Sequence, residues 1–446
     1  MSEAVNKFKD VSFLFWQKDI ETMPRKELEE LQLERLKYLV DYCIKRIPHY
    51  RSKLEKAGVT AEKIKCLSDI EYIPYTTKDD MRDTYPFGLF AVPMKEIVRI
   101  HASSGTTGKP TVVGYTRSDL NNWSDLVARV VVAAGAREDD VAQISFGYGL
   151  FTGALGLHYG LERIGAAIIP ISSGNTEKQI MLMKDFGSTV LVSTPSYAMY
   201  MSEVAAEMGI KKSEMKLRLG LFGSEGCTDE LRQKIEDNMG IFFTDNYGMS
   251  ELMGPGVSGE CIERCGLHFA EDHFYPEIID PVTLKVKPRG EEGELVITTL
   301  TKEGIPMLRY RTKDITRLHY DTCKCGRTHV RMDKVKGRSD DMLKIKGVNV
   351  FPSQIESVIM TMPDSISPNY QILLTTRNYM DEIEIKVELV DGSLLSSYSE
   401  LENLQNQIRH KLQTVLGLDC KITLLEPKSI ERFVGKARRV VDQRIK

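Results

Sequence analysis

The chain has 446 residues, and this length exceeds what one ordinary hydrophobic core organises, so we expect two or three domains. The composition is that of a globular protein, with 42% hydrophobic residues, 28% charged residues and a formal net charge of −3. This balance of charge argues against nucleic acid or an anionic membrane as the main partner. It leaves room for a local basic site that binds a polyanionic cofactor.

The beginning of the chain lacks the pattern of an export signal. Its apolar run, residues 11–16, is short and follows Lys7, Lys9 and Asp10. No apolar stretch reaches the length that crosses a bilayer. We therefore expect a cytoplasmic protein whose eight cysteines stay reduced.

The first predicted element is an amphipathic helix between Pro24 and Ile47, where apolar residues recur at helical spacing. From about residue 97 to residue 300, short apolar runs alternate with amphipathic segments. The predicted strands are residues 97–100, 141–145, 166–170, 189–193 and 217–222, and the predicted helices include residues 177–185 and 197–208. This alternation predicts an α/β fold with a mostly parallel sheet that helices cover.

The C-terminal part has a different pattern. Residues 292–298 are predicted to be a strand of a smaller sheet or barrel, and the polar segment 334–341 forms a joint after it. Predicted elements then follow in the order α-β-β-α-β, at residues 353–362, 370–375, 382–390, 399–415 and 420–425. This order predicts a small α+β domain at the C-terminus.

The most informative motif is HASSGTTGKP at residues 101–110. Small hydroxyl residues and glycines in a tight run let N–H and O–H groups converge on phosphate oxygens, and Lys109 adds a positive charge. The motif differs from a Walker A loop because Gly105 and Gly108 are too close together and Pro110 follows Lys109. Taken alone, such a run is also typical of a solvated turn.

Five further segments occur in order along the chain and favour the phosphate-binding interpretation. They are FGSEG at 222–226, NYGMSE at 246–251, YRTKD at 310–314, GRSDD at 337–341 and FVGKAR at 433–438. The first follows a predicted strand and so lies at a carboxyl end, where open α/β sheets bind ligands. The carboxylate of Asp314 suits a ribose diol.

An aromatic segment between residues 146 and 153 is a candidate substrate site. Phe146, Tyr148 and Phe151 are either core aromatics, the commoner case, or walls of a pocket for an aryl group. The interspersed glycines favour the pocket, because glycine lets a flat ring approach the backbone.

The cysteine pattern suggests a zinc site. Cys261, Cys265 and His268 lie close together, and Cys323 and Cys325 form a second pair. Four cysteines, or three cysteines with His268, would complete a tetrahedral site, and unliganded thiols are the alternative. A filled site without a water-activating carboxylate would be structural.

With these motifs in place, the chain resembles the acyl-adenylate-forming (ANL) superfamily over essentially its whole length. Within it, segments 147–153, 271–280 and 347–356 resemble phenylacetate–CoA ligases. The resemblance implies a reaction in which a carboxylate attacks the α-phosphate of Mg-ATP, giving acyl-AMP and diphosphate, and CoA then displaces AMP. It also implies an ATP- and aryl-acid-binding domain of residues 1–336, a hinge at 337–341 centred on Asp340, and a mobile domain of residues 342–446.

The resemblance assigns roles to individual residues. Those that hold the β- and γ-phosphates are Ser103, Ser104, Gly105, Thr106, Thr107, Gly108 and Lys109. Ser250 is expected to contact the α-phosphate, Glu251 to bind Mg²⁺, and Lys436 to bridge the substrate carboxylate and the α-phosphate during adenylation.

The nucleotide and metal residues follow in the same way. Those that bind the adenosine part are Gly223, Ser224, Glu225, Asn246, Tyr247, Gly248, Asp314 and Arg338, with Asp314 on the ribose hydroxyls. The segment Gly223–Gly226 departs from the acidic-Pro version of close relatives. Relatives that pair a cysteine with a downstream Gly-x-His favour the zinc set Cys261, His268, Cys323 and Cys325.

Several alternatives stay open at this point. The acceptor is CoA or a carrier protein, and phenylacetate, a hydroxylated phenylacetate and indoleacetate all fit the motifs. A zinc-containing nucleic-acid-binding module is disfavoured by the absence of a basic excess. We expect neither nucleic acid nor membrane as a partner, and a homodimer is compatible with the sequence.

Overall fold

A computed structural model describes residues 14–103, 110–340, 343–345, 348–362, 365–377, 380–392, 398–432 and 439–444. The predicted site residues Ser104, Gly105, Thr106, Thr107, Gly108, Lys109 and Lys436 lie outside these ranges.

The N-terminal part is helical, as the apolar spacing predicts. Its helices are α1 (Lys18–Glu21), α2 (Arg25–Arg46), α3 (Pro48–Lys56) and α4 (Lys78–Asp83). Helix α2 corresponds to the predicted helix and buries Leu28, Leu36 and Leu39 on one face. Short 3₁₀ turns follow at 61–63, 67–72 and 94–96.

A parallel half-sheet confirms the predicted strand–helix alternation. Its strands are β3 (Val141–Ile144), β4 (Ala167–Ile169), β5 (Val190–Ser193), β6 (Leu219–Gly223) and β7 (Phe242–Met249), in the order β4-β3-β5-β6-β7. All four neighbouring pairs are parallel. The associated helices are α5 (Arg117–Ala133), α6 (Gly153–Arg163), α7 (Thr176–Asp185), α8 (Pro195–Glu207) and α9 (Asp229–Met239).

The sheet continues beyond β7 with antiparallel strands. These are β8 (Gly254–Glu260), β9 (Leu267–Phe269), β10 (Phe274–Ile279), β11 (Glu292–Thr299), β12 (Tyr310–His319), β13 (Arg331–Met332) and β14 (Gly337–Arg338). The prediction of a separate smaller sheet or barrel for residues 292–298 is wrong, because β11 belongs to the same twelve-stranded sheet. Strand β11 is connected to the rest of this sheet through β12, which pairs with β13 over two residue pairs only.

A separate hairpin precedes the main sheet. Its strands are β1 (Arg99–Ala102) and β2 (Val112–Tyr115), paired antiparallel. The strand predicted at 97–100 therefore begins two residues later than expected, after a 3₁₀ turn. The connection between β1 and β2 contains the serine- and glycine-rich motif.

The C-terminal part has its own sheet, so the predicted combination of an α/β domain and a small α+β domain is confirmed. It contains the hairpin β15 (Leu343–Ile345) and β16 (Val348–Val350), helices α10 (Pro352–Met360) and α11 (Tyr398–Leu416), and strands β17 (Ile366–Arg377), β18 (Met380–Leu389), β19 (Lys421–Leu425) and β20 (Val440–Asp442). The sheet order is β19-β18-β17-β20. The sequence did not predict the hairpin or β20.

Polar contacts join the C-terminal part to helix α8. Arg432 pairs with Glu388 within the C-terminal part, with both N–O distances at 2.8 Å, and its Nε lies 3.8 Å from the carboxylate of Glu203 in α8. Lys428 pairs with Glu207 of the same helix. Both cross-contacts add to an apolar contact, because buried residues of α8 and α9 belong to the same hydrophobic cluster as those of the C-terminal part.

A buried carboxylate connects helix α5 to the segment between β11 and β12. Asp119 is fully buried and forms a capping box with Thr116, with both bonds at 3.0 Å. The same carboxylate accepts hydrogen bonds from the backbone N–H groups of Glu303 and Gly304, each at 2.8 Å. Asp119 therefore fixes the segment that follows β11 against the start of α5.

Across the part of the chain that the structure covers, no helix combines the length and the apolar character that a membrane crossing needs.

Replacing Asp119 with alanine tests this connection. Because three backbone N–H groups would lose a charged acceptor, we expect Asp119→Ala to lower the free energy of unfolding by roughly 3 kcal/mol. Urea unfolding followed by circular dichroism measures the change. Asp139→Ala, at an exposed carboxylate in the loop between α5 and β3, is the control and should leave stability unchanged.

Candidate active site

The carboxyl ends of β6 and β7 form one wall of the candidate site. Gly223 lies opposite Asn246 in the strand register, and the side-chain amide of Asn246 donates to the Phe222 carbonyl. Ser224 follows with a positive φ of 74°, which turns the chain sharply at the strand end. Glu225 accepts a hydrogen bond of 2.6 Å from the Ser196 N–H at the start of α8. The motifs FGSEG and NYGMSE, which are separate in the sequence, are thus adjacent in the fold.

A second wall brings Tyr247, Asp314 and Arg338 together. The Tyr247 hydroxyl donates to Asp314 at 2.6 Å, and Arg338 lies 3.3 Å from the other carboxylate oxygen. The strand pairing of β12 with β14 places Asp314 directly opposite Arg338. Burial, followed by the Asp314 charge, holds the pKa of Tyr247 well above its usual value, so this hydroxyl remains a donor.

Arg338 also reaches the segment predicted as the hinge. Its guanidinium forms two bonds to the Asp340 carboxylate, at 2.9 and 3.0 Å, while retaining the contact with Asp314. The Arg338 guanidinium therefore bonds both Asp314, predicted to bind ribose, and Asp340, predicted to be the hinge.

The turn between β7 and β8 places Ser250 and Glu251 beside the hairpin that contains the serine-rich motif. The Ser250 hydroxyl lies 3.1 Å from that of Thr152, and Glu251, which is buried, accepts a 3.3 Å hydrogen bond from Thr111. Thr111 in turn accepts a 3.0 Å backbone bond from Ser103. Ser103 and Thr111, on either side of residues 104–110, thus lie next to Glu251, the predicted Mg²⁺ ligand.

Gly248 has a structural explanation in addition to its predicted role. A Cβ atom on Gly248 would lie 1.8 Å from the carbonyl oxygen of Gly254, on the neighbouring strand. The strand register shifts between Tyr247 and Gly248, so the two backbones approach closely where the turn begins. Only glycine fits this position.

The aromatic segment lies beside the Ser250 turn. Phe146 and Tyr148 are half-buried against the main core, whereas Phe151 is 52% exposed. The Tyr148 hydroxyl lies 3.1 Å from Nδ1 of His158, on helix α6. Nothing in the sequence gives a reason to select His158, because only this side-chain contact connects it to the aromatic segment.

A group of four potential metal ligands lies at the other end of β8. The ligand atoms of Cys261, His268, Cys323 and Cys325 all lie within 4.8 Å of one another. The Cys261 and Cys323 sulfurs are 3.8 Å apart, and the Cys325 sulfur is 3.5 Å from Nε2 of His268. A tetrahedral zinc ion with Zn–S of about 2.3 Å and Zn–N of about 2.0 Å places two sulfurs about 3.8 Å apart and sulfur and nitrogen about 3.5 Å apart.

Cys265, the other candidate ligand, fits this geometry less well. Its sulfur lies 3.1 Å from that of Cys323, closer than two ligands of one tetrahedral zinc ion stand, and its side chain is exposed. The spacing therefore favours His268 over Cys265 as the fourth ligand.

The metal group is distant from the candidate active site. Strand β8 has seven residues, with the Ser250 turn before it and Cys261 after it, and an extended strand of that length spans roughly 20 Å. An ion here would join the loop after β8 to the connection between β12 and β13.

Sequence reasoning missed several residues that contact the Ser250 turn. They are Thr111, Tyr115, Thr152 and Lys302. Thr111 follows the serine-rich motif directly and could have been included with it. Tyr115 and Lys302 had no signal, because each reaches the turn from a distant part of the chain.

Family models match two parts of the chain. The model described as AMP-binding enzyme matches residues 35–301, and the model described as AMP-binding enzyme C-terminal domain matches residues 347–444. A phenylacetate–coenzyme A ligase of Thermus thermophilus is 46% identical over 97% of this chain and 100% of its own length. One of Escherichia coli is 48% identical over 95% of this chain and 97% of its own length.

Solved structures of a 2-hydroxyisobutyryl-CoA ligase share the fold. In the postadenylation state, in complex with R3-HIB-AMP, that enzyme matches with a TM-score of 0.91 at 30% identity, over 98% of this chain and 94% of its own. In the thioesterification state, with 2-HIB-AMP and CoA, the TM-score is 0.71 at 31% identity, over 96% and 92%. The arrangement of the present structure is thus closer to the postadenylation state.

The close approach at Gly248 generates a prediction. Because an added methyl group would collide with backbone rather than with a flexible side chain, we expect Gly248→Ala to destabilise the protein by about 1–3 kcal/mol. Urea unfolding measures this change. Gly149→Ala, where an added Cβ would have no neighbour within 4 Å, is the control. Equal stability of the two variants would contradict the close approach.

Proposed function

Because the chain belongs to the family of AMP-binding enzymes, among the phenylacetate–CoA ligases, we propose that it is an ATP-dependent aryl acid–CoA ligase. It joins phenylacetate to CoA and forms AMP and diphosphate through an enzyme-bound acyl-adenylate. The observation that supports this most directly is the 46–48% identity to four phenylacetate–CoA ligases over nearly the whole chain. Their names also favour CoA over a carrier protein as the acceptor.

The chemistry accounts for the types of residue in the site. A carboxylate is a weak nucleophile toward a polyanion, so the enzyme must reduce phosphate charge and align the two groups. We propose that Ser103 and residues 104–109 bind the β- and γ-phosphates, that Ser250 contacts the α-phosphate, and that Lys436 bridges the two reacting groups. In the first step a substrate oxygen bonds to the α-phosphorus and diphosphate leaves.

The adenosine part would bind at the two walls described above. Asp314 has the acceptor oxygens for both ribose hydroxyls, and Arg338 lies beside it. Gly223, Ser224, Glu225, Asn246, Tyr247 and Gly248 would surround the base. Phe146, Tyr148 and Phe151 would contact the aryl group of the acid.

Glu251 fits the proposed Mg²⁺ site. It is a buried carboxylate, 4% exposed, whose one hydrogen-bond donor among the described residues is the long 3.3 Å contact from Thr111. Hard divalent cations prefer such oxygen ligands, and Mg²⁺ bound with ATP would neutralise phosphate charge.

We further propose that the C-terminal part changes orientation between the two half-reactions. The proposed units are residues 1–336, the hinge 337–341 with Asp340, and residues 342–446. The closer match to the postadenylation state of the related ligase supports this proposal. The contact of Arg338 with both Asp314 and Asp340 would link ribose binding to the hinge.

We propose zinc at Cys261, His268, Cys323 and Cys325, with a structural role. The ligand spacing supports a tetrahedral site, and its distance from the Ser250 turn argues against a part in the chemistry. A homodimer and a cytoplasmic location remain predictions from the sequence.

Two assays test the proposed reaction. Phenylacetate should stimulate the exchange of labelled diphosphate into ATP, and phenylacetate, ATP and CoA together should yield phenylacetyl-CoA and AMP. Hydroxylated phenylacetate and indoleacetate, assayed in parallel, identify the preferred acid. Exchange without any consumption of CoA would instead indicate a carrier-protein acceptor.

Lys436→Ala tests the separation of the half-reactions. Loss of the bridging charge should slow acyl-AMP formation by roughly 10²–10⁴-fold, while thioester formation from supplied acyl-AMP continues near the normal rate. Rapid-quench measurement of each half-reaction provides the comparison, and Lys421→Ala, which removes an exposed lysine paired with Glu384 inside the C-terminal part, is the control. An equal loss in both half-reactions would contradict the proposed reorientation.

The zinc proposal predicts a defined metal content. Purified without chelator, the protein should contain about one zinc ion per chain, and the double variant Cys323→Ser, Cys325→Ser should lack it and melt at a lower temperature, because zinc binding contributes to folding. Elemental analysis and thermal unfolding measure both effects. Cys265→Ser is the matched control and should retain the metal; loss of zinc from this variant would place Cys265 in the ligand set.

A further inference from the structure

A buried lysine lies beneath the turn that contains Ser250 and Glu251. Lys302 follows β11, and its side chain is 1% exposed. The segment around it is fixed by Asp119, whose carboxylate accepts the backbone N–H groups of Glu303 and Gly304. The lysine therefore enters the interior from a rigid backbone, beside the start of α5.

The ammonium group has an unusual set of partners. It donates to the backbone carbonyl of Glu251 at 3.1 Å and lies 4.9 Å from the centre of the Tyr115 ring. Among the described residues no carboxylate lies within ion-pairing distance of it, although the charges of Asp119 and Glu251 act on it from farther away. Lys302 is thus a buried cation whose direct partners are a carbonyl group and an aromatic face.

Such a group is costly to bury. Desolvation lowers the pKa of Lys302 to about 8, against the attraction of the two carboxylates. An apolar side chain of similar volume would fill the same space without that cost, and replacing buried charged groups in this way is often neutral or stabilising. Filling space is therefore a poor explanation for a lysine here.

Tyr115 holds the same turn from the same side. Its hydroxyl donates to the Met253 carbonyl at 3.1 Å and reaches that of Ser250 at 3.5 Å, and its ring stacks on Trp123 with centroids 5.0 Å apart. Lys302 thus completes a platform of Tyr115 and Trp123 under the turn. The bonds reach three of its carbonyl groups, those of Ser250, Glu251 and Met253.

We propose that Lys302 is a positioning residue for adenylation, which holds the backbone of Glu251 so that Ser250 and Glu251 keep the geometry that Mg-ATP requires. The inference rests on the proposed function. Placement of reacting groups is demanding, and a displacement of 1 Å can cost about 10²-fold in rate. Formation of the thioester from acyl-AMP uses neither the triphosphate nor Mg²⁺, so Lys302 matters chiefly in the first half-reaction.

Lys302→Met tests the proposal, because methionine matches lysine in length and removes the donor and the charge. We expect phenylacetate-dependent diphosphate exchange to fall by up to about 10²-fold in kcat, with a higher requirement for Mg²⁺ and an unchanged KM for phenylacetate. Thioester formation from supplied acyl-AMP should stay within a few-fold of normal, and the melting temperature should be unchanged or higher. A residue that only filled space would not produce this pattern.

Lys287→Met is the matched control. The Lys287 ammonium also donates to a backbone carbonyl, that of Glu292 at 2.7 Å. This bond joins the loop between β10 and β11 to the start of β11 instead of supporting the Ser250 turn, so its loss should leave exchange unchanged. Lys302→Gln, which is shorter and neutral but retains an N–H donor, should recover part of the activity that methionine loses.

Each outcome bears on the proposal. Normal exchange in folded Lys302→Met protein would overturn it, and so would failure of both Lys302 variants to fold, since the lysine would then serve the fold. A loss shared equally by the two half-reactions would also overturn it. Absence of exchange in the unaltered chain would overturn the proposed function itself, and the inference with it.

Discussion

The close contact of β7 and β8 is the constraint on which the candidate site depends. At this pair the sheet changes from parallel to antiparallel, and the backbones approach so closely at Gly248 and Gly254 that a side chain on Gly248 has no room. The turn between the two strands contains Ser250 and Glu251. Because the parallel strands end at the same edge, the Gly223–Glu225 segment lies beside it, and the Tyr247 hydroxyl bonds Asp314 of β12 there. One irregular strand pair thus determines where phosphate, metal and ribose groups could meet.

Around this turn, buried polar groups are satisfied by backbone rather than by paired charges. Asp119 accepts N–H groups of the segment after β11, and Lys302 donates to a carbonyl of the turn itself. Such bonds fix backbone position and leave the Glu251 carboxylate with one long contact among the described residues, from Thr111. A carboxylate that is buried but weakly bonded is suited to accept a metal ion. The backbone that supports the turn is therefore firmly held by Asp119 and Lys302, while the Glu251 carboxylate stays available to bind a ligand.

The C-terminal part is held differently. Strands β17 and β18 with helices α10 and α11 form its core, which continues into buried apolar residues of α8 and α9. Ion pairs from Arg432 and Lys428 to α8 add to that contact. Arg338 and Asp340 stand where the chain leaves the large sheet. The Arg338 guanidinium thus connects Asp314 of the large sheet to Asp340 at the start of this part.

The sequence by itself determined the elements and the chemical classes of the site. Helix α2, the parallel strands and the small α+β unit follow from apolar spacing, because burial of one face imposes a local period that neighbouring residues display. The motifs around Ser103, Asn246 and Asp314 are likewise local, since each is a short run of neighbouring residues whose types can be read directly. Only the tertiary structure decided which distant residues meet: that β11 joins the main sheet, that Cys261 and His268 lie beside Cys323 and Cys325, and that Lys302 lies beneath Glu251. These contacts depend on how whole elements pack, and packing between residues far apart leaves no period in the sequence.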